Sequence, residues 1–356
     1  MDLKKIREEI SRVDYEIIKL LNKRLELALR AKKFKPQVVD KEREKEVIEN
    51  VKEIPLKLVE KDFSTKLFND IIAECRGIQT KDRKLVGFQG EHGANAEVAI
   101  MRYDSKFVPI SCLQFIDVVE AVKNGSFDLG FLPVEDSVEG GVSEVNDLLI
   151  DHELYICGEI KEPLNYALLT LPEIDYRGIK VVYSHQQALA QCGGFIARNH
   201  LEARPYYNAA GAARMIAESK PRASAAIAGT LCAALYNLKI IKENIEDNTS
   251  CFTRFVLISK EKCKEEGNKC SIAFSTRSDF GELYAILKIF KDAKISLTHI
   301  ESRPSRLETS RNVFLVDFNG SDRNEKVIKV LAAVKEKAVM YKLLGCYKEA
   351  APASGD

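Results

Sequence analysis

The pattern of the sequence changes at residues 84–90, which read KLVGFQG. An apolar run followed by glycine-punctuated polar positions predicts a buried strand that ends in a loop. On its N-terminal side, no glycine occurs before Gly77 and no proline before Pro36, as expected for helices. On its C-terminal side, strand and helix patterns alternate to about residue 260. The chain therefore divides into an all-helical unit and an α/β unit.

Composition excludes several classes of protein. The 356 residues are 46% apolar and 30% charged, a globular balance with room for two or three domains. The 54 Lys and Arg against 53 Asp and Glu give a net charge of +1, which argues against a nucleic-acid partner. Apolar runs are too short for a membrane span or a secretory signal, so we expect no membrane partner and a cytoplasmic location. The nine scattered cysteines and five histidines lack metal-ligand spacing, so we expect reduced thiols and no metal.

Residues 3–35 have helical periodicity, with apolar side chains at spacings of three, four or seven. A helix of about 30 residues is about 45 Å long, too long to be buried by one small domain, so we predict a partner helix from a second copy. Asp40 is expected to cap a second helix at about 41–53, and a third helix is expected at about 59–79. These helices make up a predicted domain at 1–80.

The segment 19–35 is strongly basic. On a continuous helix, Arg24 and Lys35 would lie about 20° apart, and Arg7 would point about 100° away from Arg24. Arg7 would therefore serve a pocket in the partner chain. The residues alone leave open a solvated basic face or a nucleic-acid patch.

The segments 6–10 (IREEI), 20–24 (LLNKR), 40–44 (DKERE) and 71–79 (IIAECRGIQ) together resemble the all-helical chorismate mutases. The resemblance implies an intertwined dimer that rearranges chorismate to prephenate. This Claisen rearrangement needs no nucleophile or base, only a compact pose and well-aimed donors. The resemblance implies that Arg24, Arg43 and Arg7 of the partner bind the two carboxylates of chorismate. Lys35 and Gln79 would donate hydrogen bonds to the ether oxygen. Asp40 and Glu44 would contact the hydroxyl and the ring. Cys75 stands where Ser is common in this family.

Three segments of the α/β unit, at 127–133, 180–183 and 225–228, read as buried parallel strands. Ligands are expected where such strands end. Two further segments, 132–141 (LPVEDSVEGG) and 184–192 (SHQQALAQC), follow strands. The first is equally compatible with an ordinary capped turn. For Thr253, the alternative is a strand hydroxyl that makes a plain backbone hydrogen bond.

Taken in their order along the chain, the segments at 132–141 and 184–192 and the residues from Thr253 to Phe255 resemble prephenate dehydratase, over 84–260. The resemblance implies a two-lobed, periplasmic-binding-like α/β fold with substrate in the cleft, and conversion of prephenate to phenylpyruvate. Thr253 would donate a proton to the leaving hydroxyl, and Arg254 would order the site or bind a carboxylate. The implied substrate-binding residues are Glu135, Asp136, Ser137, Ser184, Gln187, Gln191, Asn208, Arg254 and Phe255.

Asp136 and Asn208 depart from the usual residues of that family, as do Asn165, Gln186 and Cys251. They leave open an alternative, an active mutase fused to a dehydratase-fold domain whose activity is lost or altered. A second alternative is a non-enzymatic, ligand-sensing regulator whose basic helix binds nucleic acid.

Residues 261–269 read as a polar linker, and 270–348 read as strand, helix, strand, strand, helix, strand, the ferredoxin-like α+β order. A plain structural unit fits this order. The residues Gly281, Glu282 and Leu283, with Glu301, Ser302, Arg303 and Pro304, resemble the phenylalanine-binding positions of ACT regulatory domains. The three resemblances together imply a bifunctional enzyme of phenylalanine synthesis. They also imply inhibition by L-phenylalanine, no cofactor, and a homodimer or a tetramer.

Overall fold

The computed structural model describes residues 3–35, 37–55, 57–277, 279–304 and 312–351. The chain forms two compact units. One runs to Leu85 and includes Lys106–Ile110, and the other contains Val86–Ser105 and the chain from Ser111 onward. In the described residues, no helix is both long and apolar enough to cross a membrane.

The first unit contains three helices, as predicted: α1 at Leu3–Lys32, α2 at Lys41–Glu53 and α3 at Lys61–Thr80. Asp40 caps α2 by accepting a hydrogen bond from the backbone N–H of Arg43 at 3.0 Å. One detail was wrong: α1 ends at Lys32 and does not continue to residue 35. Lys35 therefore lies beyond the helix, and the argument that placed it on one helix face with Arg24 does not apply.

The apolar face of α1 is exposed. Ile10, Val13 and Ile17 are each about half exposed, at 55%, 56% and 49%, and Leu3 and Leu20 are more exposed still. Among the described residues of this helix, Leu29 is the buried apolar side chain. A single copy of the chain therefore leaves the periodic apolar positions of α1 in contact with water.

The next part of the chain is a lobe built on a mixed sheet; Leu85 and the first three residues of its strand at Val108–Cys112 are grouped with the first unit, and the rest belongs to the second. In this sheet the first and third strands of the chain are parallel, and the eleventh runs antiparallel between the third and the fifth. The helices and strands of this part are β1 (Leu85–Gln89), α4 (Asn95–Tyr103), β2 (Val108–Cys112), α5 (Phe115–Lys123), β3 (Leu129–Asp136), β4 (Gly140–Gly141), α6 (Ser143–Asp151), β5 (Tyr155–Pro163) and β11 (Phe252–Ser259). The return of β11 from the second lobe was not visible in the sequence pattern.

The second lobe is a five-stranded sheet in the order β10-β6-β9-β7-β8, with two compact apolar cores. The predicted strands at 180–183 and 225–228 pair in parallel, and the first of them also pairs in parallel with β8. Its elements are β6 (Ala167–Thr170), a 3₁₀ turn (Tyr176–Gly178), β7 (Val181–Ser184), α7 (Gln186–Gln191), α8 (Gly193–Arg198), β8 (Glu202–Pro205), α9 (Ala209–Ser219), β9 (Ser224–Ala228), α10 (Leu231–Tyr236) and β10 (Lys239–Lys242).

The C-terminal part has the predicted order and forms an antiparallel sheet, β13-β14-β12-β15, with helices packed on one apolar face. Its elements are β12 (Lys269–Ser275), α11 (Glu282–Asp292), β13 (Leu297–Pro304), β14 (Asn312–Asn319), α12 (Glu325–Lys337) and β15 (Met340–Tyr347). The linker was predicted one residue too long, because Lys269 is a buried strand residue.

The prediction that all cysteines are reduced was wrong for one pair. Cys270 and Cys346 form a disulfide, because the register of β12 and β15 places them directly opposite each other. Their separation of 76 positions hides this proximity in the sequence. The cytoplasmic location stays a prediction, and the disulfide does not support it, since such bonds are rare there.

Candidate active sites

In the helical unit, α1 and α3 bring three predicted residues together. Arg24 donates from Nη1 to the sulfur of Cys75 at 2.9 Å, and its guanidinium lies 5.8 Å from the centre of the Phe68 ring. Gln79 is buried and donates its side-chain amide to the carbonyl oxygen of Ala28. Cys75 thus serves as a sulfur acceptor for the guanidinium.

The other predicted groups of this unit are held by ion pairs near α2. Lys35 contacts Asp40 at 3.2 Å, and Arg43 contacts Glu46 at 2.7 Å. The backbone N–H of Arg43, followed by the Lys35 ammonium, lowers the pKa of Asp40 below its usual value. Arg7 is exposed on α1.

Glu44 accepts two hydrogen bonds from Arg76, a residue to which the sequence analysis gave no role. Nothing in the spacing signalled this pair, since 32 positions separate the two residues. Both line an open cavity of about 520 Å³ between α2 and α3. A cavity with adjacent cationic and anionic groups can bind a small polar ligand.

In the first lobe, Thr253 stands at the start of β11. Its hydroxyl donates to Oδ2 of Asp136 at 3.3 Å, from the opposite position on β3. The other oxygen of Asp136 accepts the backbone N–H groups of Val138 at 2.9 Å and Glu139 at 3.2 Å. The turn therefore fixes the carboxylate, and the carboxylate in turn orients the threonine hydroxyl.

Arg254, the next residue, is buried on the opposite face of β11 from Thr253. Its Nε lies 3.0 Å from Glu135, and its Nη1 lies 3.0 Å from Glu159 and 2.7 Å from Asp317. Burial opposes the charge, but Asp317 and the other carboxylates outweigh it and raise the pKa of Arg254 above its usual value. Of the two expected roles, ordering the site fits this arrangement, because the guanidinium is already engaged by three carboxylates.

Several predicted substrate-binding side chains are engaged elsewhere. Ser184 is fully buried and donates to the carbonyl oxygen of Ile227, and Phe255 stacks on Phe131 with ring centres 5.0 Å apart. Ser137 accepts the backbone N–H of Phe252 at 2.9 Å. Ser184 and Phe255 are thus held inside the lobes, whereas Ser137 is exposed and its hydroxyl proton still faces outward from this bond. The sequence motif could not tell which side chains of these segments are already engaged within the protein.

Gln191 is different. Both polar atoms of its side-chain amide are buried and have no hydrogen-bond partner within the described parts of the chain. Buried amide groups are normally paired, so this one is suited to bind a ligand. Gln187, one turn earlier on α7, is half-buried.

A cavity of about 110 Å³ lies where the two lobes meet. Asn208 lines it and caps α9, its side-chain oxygen accepting the backbone N–H of Gly211. Tyr166, which no sequence signal marked, also lines it; burial first, and then nearby Cys192 and Asp136, raise the pKa of its phenol. The full set of lining residues is Gln89, Gly90, Gly93, Ala94, Asn95, Tyr166, Asn208, Ala209, Ala210 and Gly229.

The two lobes also touch through polar contacts that the sequence did not reveal. Glu91, just after β1, accepts hydrogen bonds from Tyr207 and Arg214, both at 2.8 Å. Tyr236 donates to the carbonyl oxygen of His92 at 2.6 Å. These bonds hold the lobes together beside the cavity.

The predicted effector positions occupy two places in the C-terminal part. Gly281 has a φ of +82° at the start of α11, and Glu282 and Leu283 follow in its first turn. Glu301 accepts from Asn146 at 2.8 Å, and Arg303 donates to Ser143 at 2.7 Å and pairs with Asp147 at 3.2 Å. Ser302 and Pro304 alternate with them and are exposed. Glu301 and Arg303 therefore face α6 of the first lobe.

In the described residues, no group of three or more His, Cys, Asp or Glu side chains is arranged to hold a metal ion.

Two known protein families match the chain, each over a different segment. The family described as "Chorismate mutase type II" matches residues 6–80, and the family "Prephenate dehydratase" matches residues 86–263. A bifunctional chorismate mutase/prephenate dehydratase of Aquifex aeolicus is 32% identical over 98% of both chains.

Two solved structures resemble the chain, each with a TM-score of 0.70 and each matching 76% of this chain. One is a prephenate dehydratase from Arthrobacter aurescens in complex with L-Phe, 29% identical and covered over 92% of its length. The other is GqqA, described as a quorum quenching acylase, 27% identical and covered over 99% of its length.

Proposed function

The chain belongs to the family of bifunctional chorismate mutase/prephenate dehydratases, and we propose which of its residues carry each reaction. The enzyme of this family converts chorismate to prephenate and then prephenate to phenylpyruvate. Its membership favours two active reactions over a mutase with an inactive partner domain, and over a non-enzymatic regulator.

For the first reaction, we propose that Arg24 binds a carboxylate of chorismate and that Lys35 and Gln79 donate to its ether oxygen. Arg24 supports this most directly, because its partner in the structure is a thiol, a weak acceptor that a carboxylate readily replaces. Arg7 of a second copy would complete the cage, together with Arg43, Asp40 and Glu44. The reaction then proceeds by holding the dianion compactly while the donors stabilise charge developing on oxygen.

For the second reaction, the observation that carries the proposal is the hydroxyl of Thr253, held at a strand end by Asp136 at 3.3 Å. Thr253 donates its proton to the leaving ring hydroxyl, which departs as water. The bond to the ring carboxylate breaks at the same time, its electron pair completes the aromatic ring, and carbon dioxide is released. Thr253 then regains a proton from water.

Replacing Thr253 by Val tests this assignment, since Val keeps the shape and removes the hydroxyl. We expect phenylpyruvate formation from prephenate to fall by about 10²–10⁴-fold, the usual contribution of a positioned acid. Thr253→Ser, which retains a hydroxyl, is the matched control and should keep most of the rate. Full turnover by Thr253→Val would remove Thr253 from the mechanism.

We propose that the enzyme is a homodimer through α1. The support is the exposed apolar face of that helix, which a second copy would cover. Ile10→Glu should give a monomer in sedimentation experiments and abolish chorismate turnover, whereas Ser11→Glu, at an exposed neighbouring position, should leave the dimer intact. A tetramer would require a further interface.

We propose that L-phenylalanine binds the C-terminal part as an inhibitor, which would make it an ACT domain. The ferredoxin-like order and the L-Phe complex of the Arthrobacter relative support this. Calorimetric titration of the enzyme with L-phenylalanine, and with D-phenylalanine as control, should give binding of the L form alone together with slower dehydration. No heat and no inhibition with the L form would contradict the proposal.

A further inference from the structure

A cluster of six buried polar residues joins the first lobe to the C-terminal sheet. We call it the Arg254 cluster. Each member is at least nine-tenths buried. The members are Arg254 and Glu159 from the lobe, with Lys269, Ser271, Asp317 and Tyr347 from the sheet.

The bonds in the cluster are continuous across the boundary. Arg254 contacts Glu159 at 3.0 Å and Asp317 at 2.7 Å through the same nitrogen. Lys269 contacts Glu159 at 2.9 Å. Ser271 donates to Asp317 at 2.6 Å. The carboxylate of Asp317 is therefore held on one side by its own sheet while it holds the guanidinium on the other.

A cluster of buried charges contributes little to the free energy of unfolding. Taking four charges out of water offsets much of their mutual attraction, and apolar side chains of similar size often stabilise a protein as well or better. Directional bonds, however, fix geometry in a way that apolar packing does not. The buried charges therefore indicate that the positions of the side chains in this cluster have to be fixed.

The position that needs fixing is the start of β11. The pairing of β11 with β5 is regular here, but its pairing with β3 is irregular between Arg254 and Phe255, so backbone bonds hold this point of β11 firmly from one side only. Thr253 and Arg254 are neighbours whose side chains point to opposite faces of the strand. Anchoring Arg254 on one face therefore holds the hydroxyl of Thr253 in place on the other.

We propose that Asp317 is a positioning residue for dehydration: acting through Arg254, it fixes Thr253 for proton donation. The C-terminal sheet then forms part of the support of the dehydratase site, apart from any role in binding an effector. This inference rests on the proposed role of Thr253.

Asp317→Asn keeps the shape of the side chain and removes its charge. We expect kcat for prephenate to fall roughly 10- to 100-fold, the size of effect expected from a displacement of about 1 Å, while KM stays nearly constant. Chorismate turnover by the same preparation should be unchanged. Ser271→Ala, a milder change that frees one oxygen of Asp317, should lower kcat in the same sense by a smaller factor, and it decides the matter if Asp317→Asn does not fold.

Lys342→Met is the matched control. Lys342 also joins the C-terminal sheet to the first lobe, by donating to the carbonyl oxygens of Leu149 at 2.8 Å and Ile150 at 3.2 Å, away from Arg254. We expect it to lower the melting temperature and to retain kcat. An equal fall in kcat would show that any loss of docking slows the reaction, and would overturn the proposal.

Two results separate this inference from the proposed function. Full kcat in Asp317→Asn, with Thr253→Val inactive, would overturn the positioning role and leave Thr253 as the acid. Full kcat in Thr253→Val would overturn both.

Discussion

The helical unit and the first lobe with its C-terminal sheet use charged residues in opposite ways. In the helical unit the ionic groups of the predicted site are exposed or half-buried, and the apolar positions of α1 are exposed. In the second unit the charges of the Arg254 cluster are buried, and they pair across 63 to 110 positions of sequence.

This difference separates binding from architecture. Exposed ion pairs contribute little to stability and exchange easily for a ligand. Buried pairs are expensive to break, because the remaining charge is left without a partner. The cations of the helical unit can therefore exchange their partners for a ligand, whereas Arg254 organises the structure of the second unit. The same kind of side chain, an arginine beside a predicted site, performs different work in the two places.

The strongest test of the comparison is Arg24→Ala. Loss of a carboxylate-binding guanidinium should slow chorismate turnover by about 10²–10³-fold, because a preorganised cation acts on the bound dianion. Dehydration of added prephenate should stay unchanged, since Arg24 belongs to the other unit. Both rates are measured on one preparation.

The control for Arg24→Ala is Lys23→Ala, an exposed cation on the preceding position of α1. It should leave both rates near those of the unaltered enzyme. Equal losses of the two activities in Arg24→Ala would show that the units do not work separately.

The Cys270–Cys346 disulfide provides a test confined to the second unit. Its reduction should lower the free energy of unfolding of that unit by about 2–4 kcal/mol, because the unfolded chain regains the freedom of a long loop. Urea unfolding with and without reductant, monitored by dehydratase activity, measures the effect. The variant carrying Cys270→Ala and Cys346→Ala should be insensitive to reductant, and any remaining sensitivity would place the cause in other thiols.

Gly141→Ala tests the contact between the lobe and the C-terminal sheet. An added methyl group would lie 1.9 Å from a carboxylate oxygen of Glu301, which must then move and release Asn146. We expect a loss of about 1 kcal/mol in stability, at the low end for overpacking. Gly178→Ala, where a methyl group meets nothing within 4 Å, is the control in thermal unfolding. Equal melting temperatures of the two variants would contradict the contact.

The smallest effect is expected from Glu162→Gln. Burial raises the pKa of Glu162 in the folded protein, and Arg102 only partly opposes this. The unfolded chain ionises at this position more readily than the folded protein does. The folded protein therefore loses stability as the pH rises from the pKa of a free glutamate to the raised pKa of Glu162. The variant should therefore melt slightly higher than the unaltered enzyme near pH 7, and the gain should vanish below the pKa of a free glutamate. A gain that is constant with pH would contradict this explanation.

Local sequence was a good guide wherever local rules apply. The cap at Asp40, the helices of the first unit and the order of elements after residue 269 follow from spacing and capping chemistry, which act within a few residues. The roles of Arg254, Ser184 and Phe255 did not follow, because a motif identifies a segment and does not say what its side chains meet. Arg76, Tyr166 and Lys269 gave no signal at all, since their partners lie far away in the chain.

Periodicity and residue type were enough to predict the classes of the three regions, their order and the chemistry available to them, because both are local properties. Tertiary structure alone decided that Cys270 meets Cys346, that Arg254 is enclosed by carboxylates from two sheets, and that Thr253 faces Asp136. These pairings depend on strand register and on the return of β11 between β3 and β5, and such long-range contacts arise only when the whole unit packs.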